Sequence, residues 1–117
     1  MSKRISPTVL HLRVKLRVPP DSVLAHSREA ANKIASLEGL IWKVWLVERD
    51  QREMGGVYLF ASRENAVAYL NHPVVQALCS NPAVMATDSQ IWDIESALST
   101  ITRGPFEQQP AAMAGGR

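Results

Sequence analysis

The segment Glu38–Phe60 limits the folds open to this chain more than any other part of the sequence. It reads EGLIWKVWLVERDQREMGGVYLF, an apolar run, a polar segment and a second apolar run. Gly55 and Gly56 close the polar segment, where a turn needs the backbone freedom of glycine. Two β-rich runs joined in this way predict a β-hairpin, with strands over Leu40–Glu48 and Gly56–Ala61.

A strict alternation of apolar and polar residues over Thr8–Val18 predicts a strand with one buried face. The apolar face carries Leu10, Leu12, Val14, Leu16 and Val18, and the polar face carries His11, Arg13, Lys15 and Arg17. Pro19 and Pro20 then end the strand, because proline cannot donate a hydrogen bond to the ladder.

The remaining segments complete a β-α-β-β-α-β order, which is the ferredoxin-like arrangement. We predict a helix from Asp21 or Ser22 to Leu37 that Gly39 stops, a helix capped by Ser62 that His72-Pro73 breaks, a helical segment over Val74–Cys79, a strand over Ala83–Ile94 and a short helix over Glu95–Thr102. The predicted fold is therefore an α+β domain over residues 1–104, with a four-stranded antiparallel sheet and helices on one of its faces. Residues 105–117 are predicted to form a flexible tail.

Composition favours a single cytoplasmic domain. The chain has 117 residues and a net charge of +2, without a basic cluster interleaved with aromatics, so nucleic acid is not an expected partner. A single cysteine, Cys79, excludes an internal disulfide, and no Cys/His spacing indicates a metal site. The first residues lack the continuous apolar segment of a signal peptide, and no stretch is long enough to span a membrane.

Large apolar residues on both sides of the predicted hairpin indicate a homodimer. In a strand, Trp42 and Trp45 face opposite sides, so one of them lies on the sheet face that no helix covers. An exposed face of this kind is a sizeable apolar patch on a monomer. We therefore predict sheet-to-sheet packing of two copies, with a ligand cavity enclosed between them.

The pattern favours one orientation of the hairpin. Leu40, Trp42, Val44 and Leu46 form the more uniformly apolar face, and we expect them to pack against the helices. Lys43, Trp45, Tyr58 and Phe60 are then expected to face the cavity on the other side of the sheet. A one-residue bulge would invert this choice, because side chains alternate with a period of two.

Three segments, EGLIWKVWLVE, GGVYLFASRENAVAYLNH and IWDIESALSTI, resemble the YdhR-like mono-oxygenases of the dimeric α/β-barrel superfamily, which also includes antibiotic-biosynthesis mono-oxygenases. The resemblance extends over about residues 9 to 102. It implies a homodimer and an oxygenase that needs no flavin, haem or metal. One branch of the superfamily degrades haem with an Asn, a Trp and a His. This chain has His11, Phe60 and Cys79 near those positions, so the resemblance does not indicate haem degradation.

Oxygenation without a cofactor requires a base, and a cationic or hydrogen-bonding group beside the developing oxyanion. His11 is the predicted base, since a neutral imidazole accepts a proton near pH 7. Arg13 shares its face and is predicted to bind the oxyanion. The alternative for both is a solvated side chain on the strand surface.

Further residues are predicted to bind the substrate. Lys43 lies next to Trp45 on the predicted cavity side, and its alternative role is a stem along the aromatic ring with the ammonium in water. Trp45, Tyr58, Phe60 and Trp92 would provide flat walls, although aromatics of this kind more often serve simple packing. His72 is a weaker candidate, because a histidine in a last helical turn more often interacts with the helix dipole.

The sequence thus predicts a mono-oxygenase acting on a small aromatic or polyketide-like compound. A non-catalytic dimer that binds a small molecule in the same cavity is the first alternative. A structural protein whose sheet face only dimerises is the second.

Overall fold

The computed structural model describes residues 6–107, which contain four strands and five helices. The strands are β1 (Thr8–Leu16), β2 (Leu40–Glu48), β3 (Glu53–Phe60) and β4 (Val84–Asp93). The helices are α1 (Pro20–Leu24), α2 (Arg28–Ala35), α3 (Arg63–Leu70), α4 (Pro73–Ser80) and α5 (Ser96–Ile101). The strands form one antiparallel sheet in the order β2-β3-β1-β4. The predicted ferredoxin-like α+β fold is confirmed.

The alternation in β1 determines which face of the sheet the helices cover. Leu10, Leu12, Val14 and Leu16 are each at most 5% exposed. They form one core cluster with residues of α2, α3 and α4, among them Ile34, Tyr69 and Val75. We call this covered side the inner face and the opposite side the outer face. Residues paired across neighbouring strands lie on the same face. The register therefore assigns each remaining strand residue to the inner or the outer face.

The single helix predicted up to Leu37 is instead two short helices, α1 and α2. The hydroxyl of Ser27 donates a hydrogen bond to the carbonyl oxygen of Val23 at 3.0 Å, and the backbone amide of Ser27 donates to Leu24 at 3.1 Å. A serine that bonds to nearby backbone in this way competes with the helical pattern. The break lies over the inner face, at the edge of the cavity described below.

The predicted orientation of the hairpin is wrong for most of its residues. Leu40 pairs with Phe60, but Trp42 pairs with Leu59, so the register shifts by one residue between them. Beyond this bulge, Lys43 pairs with Tyr58 and lies on the inner face. Trp42, Val44 and Leu46 lie on the outer face, and of the four residues expected to meet the helices only Leu40 does so.

The two adjacent glycines lie inside β3, not in the loop where the sequence pattern placed them. A side chain at Gly55 would overlap the backbone carbonyl of Leu12 on the neighbouring strand, and one at Gly56 would overlap the stem of Lys43. The turn glycine of this region is Gly39, whose φ of +84° is a conformation that other residues adopt at a cost.

The segment after α5 reaches back to the hairpin. The indole Nε1 of Trp42 donates a hydrogen bond to the carbonyl oxygen of Pro105 at 3.0 Å. The predicted flexible tail begins at this residue, and its part over 108–117 lies outside the described residues. Within residues 6–107, no helix combines the length and apolar character needed to cross a bilayer.

Candidate active site

A small cavity lies between the inner face of the sheet and the helices. Its volume is about 70 Å³. Aliphatic side chains such as Val14 and Ile34 form much of its wall, and its polar groups include Lys43, Tyr58 and Tyr69. Trp45, which is 36% exposed, separates it from solvent on the side of β2. An apolar pocket with a few convergent polar groups is the usual form of a small-molecule site.

Lys43 lies across β3 because Gly56 leaves room for it. Gly56 stands opposite Trp45 on the neighbouring strand, and a side chain there would overlap the lysine stem. The Lys43 ammonium nitrogen Nζ lies 3.3 Å from the centroid of the Trp45 ring and 4.6 Å from that of Tyr58. These distances are within the range of a cation–π interaction, so two ring faces hold the nitrogen in the cavity.

Burial lowers the pKa of Lys43 to about 7. Desolvation disfavours the charged form of an amine. No ion pair among residues 6–107 involves Lys43, so no carboxylate offsets this effect. At neutral pH the site therefore contains both the ammonium and the neutral amine, and the latter can accept a proton.

The hydroxyl groups of Tyr58 and Tyr69 form a hydrogen bond of 2.8 Å beside Lys43. Both side chains are almost fully buried, and burial is the main reason why the pKa values of both hydroxyls rise above their ordinary value. The two hydroxyls carry two protons, and one of these protons forms the hydrogen bond between the two oxygens. No other hydrogen bond to either hydroxyl occurs within residues 6–107, so the second proton is available to an oxygen atom of a ligand.

A larger groove of about 510 Å³ adjoins the cavity between α1, α2 and α4. Five residues line both spaces: Val23, Ser27, Ala30, Val74 and Leu78. His26, Glu29 and Lys33 lie farther out along the groove. These shared residues place the groove directly beside the cavity, at the α1–α2 break.

The structure separates the predicted site residues into two groups. Lys43, Trp45 and Tyr58 meet on the inner face, which contradicts their predicted orientation toward the outer face. His11 and Arg13 lie on the outer face, as predicted, and therefore on the other side of the sheet from Lys43. The prediction that all of them line one cavity is therefore wrong, because the two groups lie on opposite faces of the sheet.

The outer group forms a shallow depression of about 160 Å³ near Gly55, which has no side chain to fill it. His11 lies at its edge, while Arg13 forms an ion pair with Glu53 at 3.2 Å. The hydrogen bond from Arg13 is the largest contribution that holds the pKa of the Glu53 carboxyl below its usual range. Trp92 lies on the same face, pairs with Val9 and is 53% exposed.

Phe60 and His72 have structural positions. Phe60 is 1% exposed, faces the helices and stacks on Tyr58 with ring centroids 5.8 Å apart, so its predicted outward orientation is wrong. His72 precedes α4, and its ring nitrogen Nδ1 accepts a hydrogen bond from the backbone amide of Val74 at 3.1 Å. His72 therefore caps the start of α4 and does not lie in the last turn of α3. A structural role is still the one that the sequence favours for this histidine.

No sequence pattern indicates that Tyr69 belongs to the site. Tyr69 and Ala66 are the buried residues of α3, and a tyrosine at such a position is typical of core packing. The available signal was its hydroxyl, because a buried tyrosine usually needs a hydrogen-bond partner. Among the described residues, no group of three or more His, Cys, Asp or Glu side chains is arranged to hold a metal ion.

The model of the family described as "Putative mono-oxygenase ydhR" matches residues 9–105. The chain belongs to this YdhR family. No curated protein matches its sequence.

Solved structures share the fold of this YdhR-family chain at low sequence identity. Protein SO0527 from Shewanella oneidensis has a TM-score of 0.64 and 12% identity, over 78% of this chain and 93% of its own. SnoaB, a cofactor-independent oxygenase from Streptomyces nogalater, has a TM-score of 0.62 and 14% identity, over 78% and 95%. The haem degrader MhuD from Mycobacterium tuberculosis has a TM-score of 0.58 and 15% identity, over 75% and 95%. At these identities the likeness establishes the fold alone.

Proposed function

We propose that this chain is a mono-oxygenase that oxidises a small, electron-rich aromatic or polyketide-like compound without flavin, haem or metal. The observation that carries the proposal is the inner cavity, where the Lys43 amine and the Tyr58–Tyr69 hydroxyl pair meet in apolar surroundings. Membership of the YdhR family supports an oxygenase. The shared fold of SnoaB supports the absence of a cofactor.

The proposed reaction begins with a proton transfer to Lys43. The neutral amine removes a proton from an acidic CH₂ group of the substrate, and the free hydroxyl proton of the tyrosine pair donates to the conjugated substrate oxygen. The carbanion transfers its electron pair to O₂ in one-electron steps and forms a carbon–oxygen bond. Lys43 returns the proton to give a hydroperoxide. Loss of water then leaves a carbonyl, so each O₂ provides one product oxygen and one water.

The dimensions of the two spaces fit a substrate that occupies both. The inner cavity of about 70 Å³ is smaller than the roughly 300–1,000 Å³ of typical ligand pockets. It can hold the reacting edge of the molecule beside Lys43 and Trp45. The rest of the molecule then lies in the adjoining groove of about 510 Å³.

Oxygen uptake with a panel of anthrones, which have such a CH₂ group, tests this assignment of the base. We expect Lys43→Met to lower kcat by about 10²–10⁴-fold, the usual contribution of a positioned base. His11→Ala is expected to retain turnover, because His11 lies on the other face of the sheet. Metal-stripped protein is used throughout, and circular dichroism confirms that both variants fold.

The opposite pattern, with turnover lost in His11→Ala and kept in Lys43→Met, would move the base to the outer face, where the sequence predicted it. Saturable quenching of Trp45 fluorescence by compounds of the panel, without oxygen uptake, would favour the non-catalytic binding dimer. Retained turnover in both variants would show that neither residue is the base.

The proposed assembly is a homodimer packed through the outer faces of two sheets. Val44, Leu46 and Trp92 are 40–53% exposed there and form a sizeable apolar surface. Large apolar patches on soluble proteins mark interaction sites, and a twofold axis allows the same patch to cover itself.

We expect Val44→Glu to shift the protein from dimer to monomer, because it would bury two carboxylates in the interface. Sedimentation at micromolar concentration should give twice the chain mass of 12.9 kDa for the wild type and a single chain mass for the variant. Val67→Glu is the matched control, since Val67 is 46% exposed on α3, in the helical layer. A wild type that sediments as one chain contradicts the proposed assembly.

A further inference from the structure

We infer that the Lys43 amine is also a nucleophile that captures small aldehydes and ketones as an imine inside the inner cavity. This activity needs no oxygen and goes beyond the proposed oxygenation. It rests on where the amine lies, on what surrounds it and on the hydroxyl pair beside it. A lysine activated by desolvation in a hydrophobic pocket is a recurrent carbonyl nucleophile in enzymes.

Lys43 differs from the other lysines of the described chain in its surroundings. Lys15 pairs with Glu53 at 3.6 Å, and its side chain is 44% exposed. Lys33 lies exposed on α2. Lys43 has no carboxylate partner within residues 6–107, and its nitrogen contacts the faces of Trp45 and Tyr58. A neutral amine has a free electron pair, whereas the solvated ammonium groups of the surface lysines do not.

The tyrosine pair provides the second requirement, a donor for the carbonyl oxygen. Addition of the amine to the carbonyl carbon places negative charge on that oxygen. The free proton of the Tyr58–Tyr69 pair donates a hydrogen bond to it, and the high pKa values of both hydroxyls keep them protonated. The two protons of the amine then leave with the oxygen as water. An amine and a carbonyl thus give an imine and one water, with no oxidation or reduction.

The cavity limits which carbonyl compounds can react. Its volume of about 70 Å³ admits a short uncharged aldehyde or ketone, and its aliphatic wall disfavours a carboxylate. A longer apolar chain would extend toward the groove that shares the wall formed by Val23, Ala30 and Leu78. The expected ligands are therefore small neutral aldehydes such as propanal.

Reductive trapping tests the inference directly. The full chain is incubated with propanal and cyanoborohydride at pH 7, and peptide mapping measures the propyl group on each lysine. We expect Lys43 to be modified about tenfold faster or more than Lys33, since a pKa near 7 leaves much of its amine neutral where a surface lysine is almost fully protonated. The rate at Lys43 should fall as the pH is lowered below 7, because its amine then takes up a proton. Equal rates at the two lysines would overturn the inference.

Two variants test whether the surroundings of Lys43, and not only its amine, cause its faster modification. Gly56→Ala keeps Lys43 but overlaps its stem, so we expect the preference for Lys43 over Lys33 to fall severalfold. The double variant Tyr58→Phe/Tyr69→Phe removes both hydroxyl protons and should slow trapping at Lys43 without changing Lys33. A preference unaffected by both variants would contradict the proposed site. Because trapping needs no oxygen, its failure with oxygen uptake intact would refute only the imine, and the reverse result would refute only the oxygenase.

Discussion

Replacing Tyr58 by alanine is expected to lower the free energy of unfolding by about 3–5 kcal/mol, the usual loss for a buried aromatic. Tyr58 is 1% exposed and contacts two other rings, with centroid distances of 5.8 Å to Phe60 and 4.8 Å to Tyr69. Its removal leaves a cavity that the surrounding sheet can close only in part. It also leaves the buried Tyr69 hydroxyl without its partner. Urea denaturation followed by circular dichroism measures the loss.

Tyr58→Phe is the matched control for this prediction. It keeps the ring stack and removes only the 2.8 Å hydrogen bond to Tyr69. The expected loss is about 1–3 kcal/mol, the cost of leaving a buried polar group unsatisfied. A loss under 1 kcal/mol for Tyr58→Ala would show that this ring is not part of a well-packed core. Equal losses in the two variants would attribute the stability to the hydroxyl pair instead of the rings.

The element order could be predicted because local patterns determine it. Strict alternation over Thr8–Val18 predicts one buried face, and Leu10, Leu12 and Val14 are indeed in the core. Glycine, proline and serine mark most of the element ends. These signals depend on neighbouring residues in the sequence, so they can be recognised without knowledge of the fold.

The orientation of β2 could not be predicted, because it depends on one residue. The bulge next to Leu40 shifts the register, and a period of two then moves every later side chain of β2 to the other face. Both faces of β2 contain a tryptophan, so the apolar pattern barely distinguishes them. Hydrophobicity even favours the wrong face, since the inner one contains Lys43.

Lys43 and the two glycines also show why the site was harder to recognise than the fold. Gly55 and Gly56 look like turn residues in the sequence, yet they lie within β3. One allows the close approach of the Leu12 backbone, and the other makes room for the lysine stem. Contacts between strands explain both glycines, and no local pattern contains that information.

Replacing Lys43 by methionine is expected to stabilise the folded protein by about 2–4 kcal/mol near pH 6. The sign follows from the titration of the amine. Burial lowers the pKa of Lys43 from 10.5 to about 7 in the folded state. Below pH 7 Lys43 is charged in both the folded and the unfolded protein. The folded protein then bears the full cost of desolvating the ammonium group. Each unit of pKa corresponds to about 1.4 kcal/mol, and the partial exposure of the side chain reduces the total.

This gain should decrease as the pH rises from 7 to 10. In that range the unfolded chain binds a proton at Lys43 that the folded protein has released, so the wild type gains stability with pH while the methionine variant does not. Urea denaturation of both proteins at several pH values measures the difference. Lys33→Met is the control, because Lys33 is exposed on α2 and its replacement should change stability by less than about 0.5 kcal/mol at every pH. A gain at Lys43 that is independent of pH would mean that the amine is solvated. In that case neither the proposed base nor the proposed nucleophile would have the neutral form that it requires.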